Sequence, residues 1–244
     1  MSPNIKDDRV LALKYRPEKF EDLIGQNTIS QTLSLALDSK RLSHAYLFSG
    51  LRGSGKTSTA RIMAKALLCE NGPTSHPCEV CENCLSAKSG KHLDIIEMDA
   101  ASNRGIDDIK ELIEHTKYKP NIARYKVFII DEVHMLTTQA FNALLKTLEE
   151  PPAHVIFILA TTEVHKIPQT ILSRCQRFDF RNVSVADLVA HIKEIAKVEG
   201  IQFERDELIQ QLAVLGRGSV RDTLSLLDQV LTTSHNETVT EEHL

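Results

Sequence analysis

One stretch of eight residues decides the fold of this chain: Gly50-Leu51-Arg52-Gly53-Ser54-Gly55-Lys56-Thr57. Glycines at this spacing let backbone N–H groups surround phosphate oxygens, the lysine reaches the β- and γ-phosphates, and the threonine hydroxyl can bind Mg²⁺. The run 44–49 before the stretch is typical of a strand, and 58–68 after it is a good helix former. The sequence therefore predicts a strand, a phosphate-binding loop and a helix that bind ATP or GTP.

Two acidic residues at the end of an apolar run provide a second part of the same predicted site. Residues 127–130 are apolar and lead directly into Asp131 and Glu132. Alone, this pattern fits a strand that ends in solvated acids equally well. Together with the phosphate loop, it predicts Asp131 as a Mg²⁺ ligand and Glu132 as the general base or water-positioning group.

Composition is that of an ordinary soluble protein with one large or two modest domains. Of 244 residues, 42% are hydrophobic and 25% are charged, and the net charge is −4. Any contact with nucleic acid would therefore need a local basic surface. Residues 1–10 are too polar for a secretory signal, and no apolar run approaches the roughly 20 residues that span a membrane. We expect a cytoplasmic protein.

Four of the five cysteines lie in a C-x8-C-x2-C-x2-C pattern: Cys69, Cys78, Cys81 and Cys84. Because the cytosol keeps thiols reduced, four thiolates around one tetrahedral Zn²⁺ explain the cluster better than disulfides do. An iron–sulfur cluster and incidental free thiols remain as alternatives. Residues 70–91 contain few apolar side chains, so we expect the metal to fold an inserted module at 69–84. Cys175 is expected to pack in the core of a helical stretch.

Strand-like and helical patterns alternate after this insertion. Strand-like runs at 94–98, 127–130 and 155–160 are separated by two stretches with helical spacing, and we expect Ser102 or Asn103 to cap the first of them. This order predicts an α/β fold, a mostly parallel sheet covered by helices, with the phosphate loop at the carboxyl end of a strand.

From about residue 181 only helical patterns remain. Ser184 begins a capping box, Gly200 ends that helix, and amphipathic patterns follow near 204–215 and 220–231. We predict an α/β domain at 1–180 and a small all-helical domain at 181–244. The last residues are typical of the start of another helix, so we expect the chain to be a fragment.

Short segments spread along the chain complete a recognisable set: Lys14-Tyr15-Arg16-Pro17, Ile24-Gly25-Gln26, 131–136, 141–152, Thr161-Thr162, Ser173-Arg174-Cys175 and 218–222. With the phosphate loop and the four cysteines, they resemble the gamma/tau family of clamp-loader motor subunits of bacterial DNA polymerase III, which are AAA+ ATPases. The resemblance covers essentially the whole chain. It implies a P-loop AAA+ domain with a zinc-module insertion, followed by a helical lid domain.

The resemblance also implies roles for single residues. Thr162 would be the polar sensor that aligns the γ-phosphate with the attacking water, and Arg221 would reach the nucleotide from the lid as a second sensor. Arg174 would be an arginine finger in the neighbouring subunit's ATP site, a group that can change rates by about 10³–10⁵-fold. By spacing alone, Arg174 is an exposed arginine on a helix. Three residues would shape the adenine pocket: Tyr15, Pro17 and Ile24.

Members of the family contact the phosphates of duplex DNA along the inside of a subunit spiral. The resemblance implies that three residues here would make such contacts: Asn103, Arg104 and Lys146. Such contacts would be independent of base sequence and sensitive to salt. As sequence features, Arg104 and Lys146 fit solvated helix-surface charges as well.

The family implies partners: the other subunits of a hetero-pentamer, a sliding clamp and primer-template DNA. Its collar domain, and the segments that bind polymerase and helicase, are expected to be absent from these 244 residues. The leading hypothesis is an ATPase, with ATP, Mg²⁺ and Zn²⁺, that loads a sliding clamp onto primed DNA. The alternatives are another AAA+ DNA motor, for branch migration or helicase loading, and a clamp-loader subunit that does not hydrolyse ATP.

Overall fold

The computed structural model describes residues 10–244; the polar start of the chain and of the predicted 1–180 domain lies outside the described residues. The described part forms five strands: β1 (Ala45–Ser49), β2 (Ile95–Asp99), β3 (Lys126–Asp131), β4 (Val155–Thr161) and β5 (Gln176–Asp179). Its α-helices are α1 (Leu11–Lys14), α2 (Asn27–Ser39), α3 (Lys56–Leu68), α4 (Glu82–Lys88), α5 (Ile106–Thr116), α6 (Thr138–Glu149), α7 (Gln169–Leu172), α8 (Val185–Glu199), α9 (Asp206–Leu215) and α10 (Val220–Thr233). None of the helices in residues 10–244 has the length and apolarity needed to span a bilayer.

All five strands are parallel, in the order β2-β3-β4-β1-β5. Ser49 of β1 pairs with Thr161 of β4, and Ile130 of β3 pairs with Leu159. The carboxyl ends of β1, β3 and β4 therefore meet at one edge of the sheet. The predicted parallel α/β fold is confirmed.

Each face of the sheet has its own hydrophobic core. Side chains alternate along β1, so that Phe48 packs with α2 and α3, while Leu47 packs with α5 and α6 on the other face. Every residue of β1 and β4 is buried, as is typical of central strands of a parallel sheet covered on both sides. Helices that pack on both faces thus hold the sheet in place, and its polar carboxyl edge remains available for the site.

The last three α-helices form a third core. The hydroxyl of Ser184 accepts the amide N–H of Asp187 at 3.1 Å to begin α8, and left-handed Gly200 ends it. Leu11 of α1 packs in this core, and its amide N–H donates to Asp228 at 2.9 Å. The start of the described chain is therefore tied to α10. The domain limits 1–180 and 181–244 remain predictions.

Two local expectations were wrong. Residues 173–175 form a turn after the four-residue α7, so Arg174 and Cys175 are not on a helix. Gly105, and neither Ser102 nor Asn103, precedes α5 as its cap. β5 was not predicted from the sequence, because it is a polar edge strand in which only Phe178 is buried.

Asp94 fixes the connection that leads into β3. This carboxylate is fully buried, and it accepts the amide N–H groups of Asn121 at 2.6 Å, Ile122 at 2.8 Å and Ala123 at 2.8 Å. Burial alone would raise the pKa of Asp94, but these bonds hold the pKa below its usual value. One charged side chain thus satisfies three backbone donors.

We predict that Asp94→Ala lowers the free energy of unfolding by about 2–4 kcal/mol, because it leaves buried N–H groups unpaired. Since the folded-state pKa lies below the unfolded value of about 3.9, the stabilisation is complete above that value and is lost as the pH falls through the folded-state pKa. Urea unfolding between about pH 2 and pH 7 measures this. Asp206→Ala, at an exposed position, is the control; equal losses in both variants at pH 7 would contradict the prediction.

Candidate nucleotide and metal sites

A cleft of about 1080 Å³ lies at the carboxyl edge of the sheet. The phosphate loop and the ends of β3 and β4 line one side. Residues 10–24, α8 and α10 line the other. The site therefore lies between the sheet and the helical part of the chain.

The phosphate loop has the conformation that its glycines predict. Gly53 and Gly55 have φ angles of +77° and +102°, where a side chain would be strained. Lys56 begins α3 and is 5% exposed; its ammonium donates to the carbonyl oxygens of Gly50 at 2.7 Å and Leu51 at 2.8 Å. Burial lowers the pKa of Lys56, while the charges of the two acids at the end of β3 oppose this shift. The side chain of Lys56 thus folds back over the predicted phosphate-binding loop.

The acidic pair at the end of β3 faces this loop. The Thr57 hydroxyl donates to Asp131 Oδ2 at 3.1 Å, so the two predicted Mg²⁺ ligands are adjacent. Glu132 has a φ angle of +51°, a left-handed conformation that a residue without glycine's freedom rarely adopts. Thr162 follows β4, and its hydroxyl donates to Glu132 Oε2 at 3.4 Å. Four predicted residues from three chain segments thus converge.

The N-terminus of α10 packs directly on the phosphate loop. A Cβ on Gly53 would lie 2.1 Å from the hydroxyl of Ser219 and 3.1 Å from Cβ of Arg221. Ser219 itself is fully buried, and its hydroxyl caps α10 by accepting the amide N–H of Asp222 at 3.1 Å. Arg221 therefore lines the cleft next to the phosphate loop.

The residues predicted for the adenine pocket, Tyr15, Pro17 and Ile24, all line the cleft. Three other residues here were not predicted from the sequence. Arg16 lies between two of the predicted residues, and burial together with the charges of Arg61 and Arg221 lowers its pKa. Such a concentration of positive charge favours a polyanionic ligand.

Gln26 is the second missed residue, and it ties the loop to the start of the helical part. It is 3% exposed, and its amide donates to the carbonyl oxygens of Ser54 at 3.3 Å and Arg181 at 2.7 Å. His191 of α8 is the third; both ring nitrogens are buried in the described structure without a hydrogen-bond partner. Burial lowers the pKa of His191, which favours the neutral ring. The sequence offers no signal for either residue, because the position of each depends on contacts between distant segments.

The remaining predicted residues lie outside this cleft. Arg174 is exposed in the turn after α7, and its guanidinium lies 3.4 Å from Glu149. Asn103 and Arg104 lie in the loop before α5, where the carbonyl of Arg104 accepts the amide N–H of Thr137 at 3.1 Å. Lys146 is exposed on α6, about 12 Å along the helix from its start. The structure thus brings the three predicted DNA residues to the α5–α6 side of the sheet.

The four clustered cysteines form a compact group. Their Sγ atoms all lie within 4.8 Å of one another, and those of Cys78 and Cys84 are 4.0 Å apart. A tetrahedral Zn²⁺ with Zn–S bonds of about 2.3 Å needs sulfurs about 3.8 Å apart, which this group nearly matches. Amide N–H groups of Cys78, Cys81 and Cys84 point at sulfurs of the group, at 3.2–3.4 Å. These contacts favour thiolates.

The thiol pKa values differ within the cluster: burial raises the pKa of Cys84, whereas the pKa of Cys81 is lowered. Burial opposes ionisation of Cys81, but amide N–H groups of Glu70 and Cys84 lower its pKa to about 7. Cys175, by contrast, packs in the second core, where burial raises its pKa to about 12. The cluster fits a metal, and Cys175 fits the core position expected for it.

Lys65 joins the metal module to the nucleotide cleft. It lies on α3, is 5% exposed, and its ammonium lies 2.9 Å from the carboxylate of Glu79, between Cys78 and Cys81. The same ammonium donates to the carbonyl oxygen of Glu18 at 2.7 Å, next to Pro17 of the cleft. One buried cation therefore connects three segments.

Comparison with protein families agrees with this architecture. A family model described as "DNA polymerase III, delta subunit" matches residues 25–184, and one described as "DNA polymerase III clamp loader subunit, ATPase lid domain" matches residues 187–236. The chain belongs to the clamp-loader subunits of DNA polymerase III. The resemblance found in the sequence is confirmed, as is the AAA+ fold with a lid.

Several bacterial relatives of this family are similar over most of the chain. DNA polymerase III subunit tau of Bacillus subtilis (strain 168) is 53% identical, with 90% of this chain and 39% of that protein covered. DNA polymerase III subunit tau/gamma of Haemophilus influenzae is 50% identical, with 91% and 32% covered. The chain thus spans well under half the length of these relatives.

Among solved structures, the Thermotoga maritima RuvB Holliday junction branch migration motor is similar in fold. It superposes with a TM-score of 0.68 at 22% sequence identity, covering 94% of this chain and 70% of that one. At this identity the likeness shows the shared AAA+ fold alone.

We predict that elemental analysis of the purified protein finds about one zinc per chain. Cys81→Ser removes a thiolate of the cluster and is expected to lose the metal and lower the melting temperature, because metal binding stabilises a module with little core of its own. Cys175→Ser, outside the cluster, is the matched control and retains zinc. Iron in place of zinc, or equal zinc in both variants, would contradict the assignment.

Proposed function

We propose that this chain is the ATP-hydrolysing motor of a clamp loader, which uses ATP binding and hydrolysis to load a sliding clamp onto primed DNA. One observation carries the proposal: Lys56, the Thr57–Asp131 pair and Glu132 converge in a single cleft of a clamp-loader chain. A clamp-loader subunit without hydrolysis would not need this complete set. The set therefore supports a motor.

The donors in the cleft fit ATP and Mg²⁺. Thr57 and Asp131 offer the hard oxygen ligands that Mg²⁺ prefers, and Mg²⁺, when bound, neutralises charge on the β- and γ-phosphate oxygens. Lys56 would exchange its two loop carbonyl partners for phosphate oxygens. Glu132 would orient the attacking water and accept its proton, and Thr162 would align that water with the γ-phosphate.

ATP would also join the two parts of the chain, for which we keep the limits 1–180 and 181–244. Arg221 from the helical part and Arg16 from the N-terminal segment would both contact the phosphates, which relieves their mutual repulsion. Tyr15, Pro17 and Ile24, which also line the cleft, would contact the base. A nucleotide bound by both sides would hold α10 against the phosphate loop.

The assembly we propose follows the family. Other clamp-loader subunits, the sliding clamp and primer-template DNA would be the partners, with Asn103, Arg104 and Lys146 contacting DNA phosphates and Arg174 serving a neighbouring ATP site. Polymerase and helicase would bind through segments beyond these residues, and the protein would act in the cytoplasm. Zn²⁺ would be held by the four clustered cysteines.

Steady-state ATP hydrolysis tests this function. The clamp loader that contains the full chain is assayed alone, with clamp, with primed DNA, and with both. Strong joint stimulation by clamp and primed DNA is expected. Turnover that is indifferent to the clamp would instead support another AAA+ DNA motor, whereas no turnover under any condition would support the non-hydrolysing subunit.

We predict that Lys56→Ala raises the Kd for ATP at least about 100-fold, since it removes a buried cation that contacts phosphate. Glu132→Gln keeps ATP binding and loses turnover, because the amide cannot accept the proton. Binding of a fluorescent ATP analogue and phosphate release measure the two effects. Lys110→Ala, at an exposed position on α5, is the control; unchanged ATP affinity in Lys56→Ala would refute the loop assignment.

For Arg174→Ala, we predict normal ATP binding by the altered subunit and hydrolysis slowed by about 10³-fold or more at the neighbouring site. Mixed complexes with one altered subunit separate the two sites. Arg177→Ala, also exposed and three residues away, is the matched control. Equal turnover of the two variants would remove the finger role.

A further inference from the structure

His134 lies two residues after Glu132, in the short helical turn that follows β3. Its side chain is 4% exposed. Nδ1 lies 2.8 Å from the hydroxyl of Thr161, the last residue of β4. Nε2 lies 3.4 Å from Oε2 of Glu132 and 3.2 Å from Oε2 of Glu163. A buried imidazole thus touches the proposed base and both residues that flank Thr162.

The groups around the imidazole indicate which nitrogen donates. The hydroxyl oxygen of Thr161 accepts the amide N–H of Glu163 at 3.0 Å, so its own proton is available to Nδ1. Carboxylates only accept, so Nε2, which lies next to two of them, carries a proton. The N–H of Nε2 therefore faces two carboxylates.

Two carboxylates compete for this single donor. Glu163 also has a second partner, Lys166, whose ammonium lies 3.1 Å from its Oε2. Glu132 has only the Thr162 hydroxyl at 3.4 Å as a further side-chain donor within the described residues. Loss of the His134 N–H would therefore leave Glu132 the less restrained of the two carboxylates.

We propose that His134 is a positioning residue for ATP hydrolysis, whose Nε2–H holds the carboxylate of Glu132 toward the attacking water. The inference rests on the proposed function, because it acts through Glu132. The left-handed backbone of Glu132 sets the direction in which its side chain leaves the main chain. The imidazole of His134 restrains the carboxylate at the end of that side chain. The distance of 3.4 Å between Nε2 and Glu132 is long for a hydrogen bond, as catalytic hydrogen bonds often are in structures without substrate.

The experiment measures ATP affinity and single-turnover hydrolysis in the assembled clamp loader that contains the full chain. His134→Leu removes the donor and keeps the volume; it is expected to slow hydrolysis about 10- to 100-fold, the size of effect that a misplaced catalytic group produces. ATP affinity stays unchanged. His134→Gln, which restores an N–H donor, recovers most of the rate. His154→Leu is the matched control, since this half-buried histidine bonds Thr116 at the other end of β4.

A double-mutant cycle separates positioning from a structural role. Long single-turnover time courses measure the residual hydrolysis of Glu132→Gln. In that background, His134→Leu is expected to cause no further slowing, because its effect passes through the missing carboxylate. Additive slowing, or loss of ATP affinity in His134→Leu, would overturn the proposal, as would a rate equal to that of His154→Leu. If Glu132→Gln alone hydrolyses ATP normally, the proposed role of Glu132 fails as well. If His134→Leu hydrolyses ATP normally and Glu132→Gln does not, the positioning role of His134 is refuted and the proposed role of Glu132 stands.

Discussion

The pairing of β4 with β1 on one side and β3 on the other is the constraint on which the candidate site depends. Because all three strands are parallel and in register, their carboxyl ends deliver the phosphate loop, Thr162 and the acidic pair to one edge. A slip of one residue in β4 would turn Thr161 and its neighbours to the opposite face of the sheet. The buried aromatic contact between Phe128 of β3 and Phe157 of β4, with ring centroids 5.4 Å apart, opposes such a slip. The packing that fixes the strand register therefore also fixes the geometry of the site.

The second constraint is the close approach of α10 to the phosphate loop. Gly53 leaves no room for a side chain beside Ser219, so the helical part touches the loop at its backbone. Gln26 reinforces this contact, since it bonds both the loop and the segment that leads into α8. A movement of the helical part cannot leave the loop unaffected. A displacement of the phosphate loop would therefore reach the helical part directly, through the Ser219 hydroxyl and the Gln26 side chain.

Much of the fold could be predicted from local patterns, and the residues that could not be predicted share a physical reason. The phosphate loop, the acidic pair and the cysteine cluster each depend on spacing within a short segment, which sequence displays directly. The positions of Arg16, Gln26 and His191 depend on how segments far apart in the chain meet, so spacing carries no information about them. β5 was missed because an edge strand needs only one buried side chain, Phe178, and has no alternation of its own. Arg174 was placed on a helix for the related reason that a four-residue helix gives too short a pattern to locate its end.

The predicted metal module, residues 69–84, contacts the chain segments that form the nucleotide cleft. Lys65 is buried between Glu79 of the module and the carbonyl of Glu18, so its charge would be unpaired if the module unfolded. An unpaired buried ammonium is costly, and α3 could relieve that cost only by moving or by admitting water. Both responses would act on the helix that begins with Lys56 and on the segment that carries Tyr15 and Pro17. Arg124 adds a second tie, because it donates to the carbonyl oxygens of Leu67 and Cys69 at 2.9 and 2.7 Å, where α3 ends and the cysteine cluster begins. The stability of the cysteine cluster is therefore part of what holds the nucleotide cleft in shape.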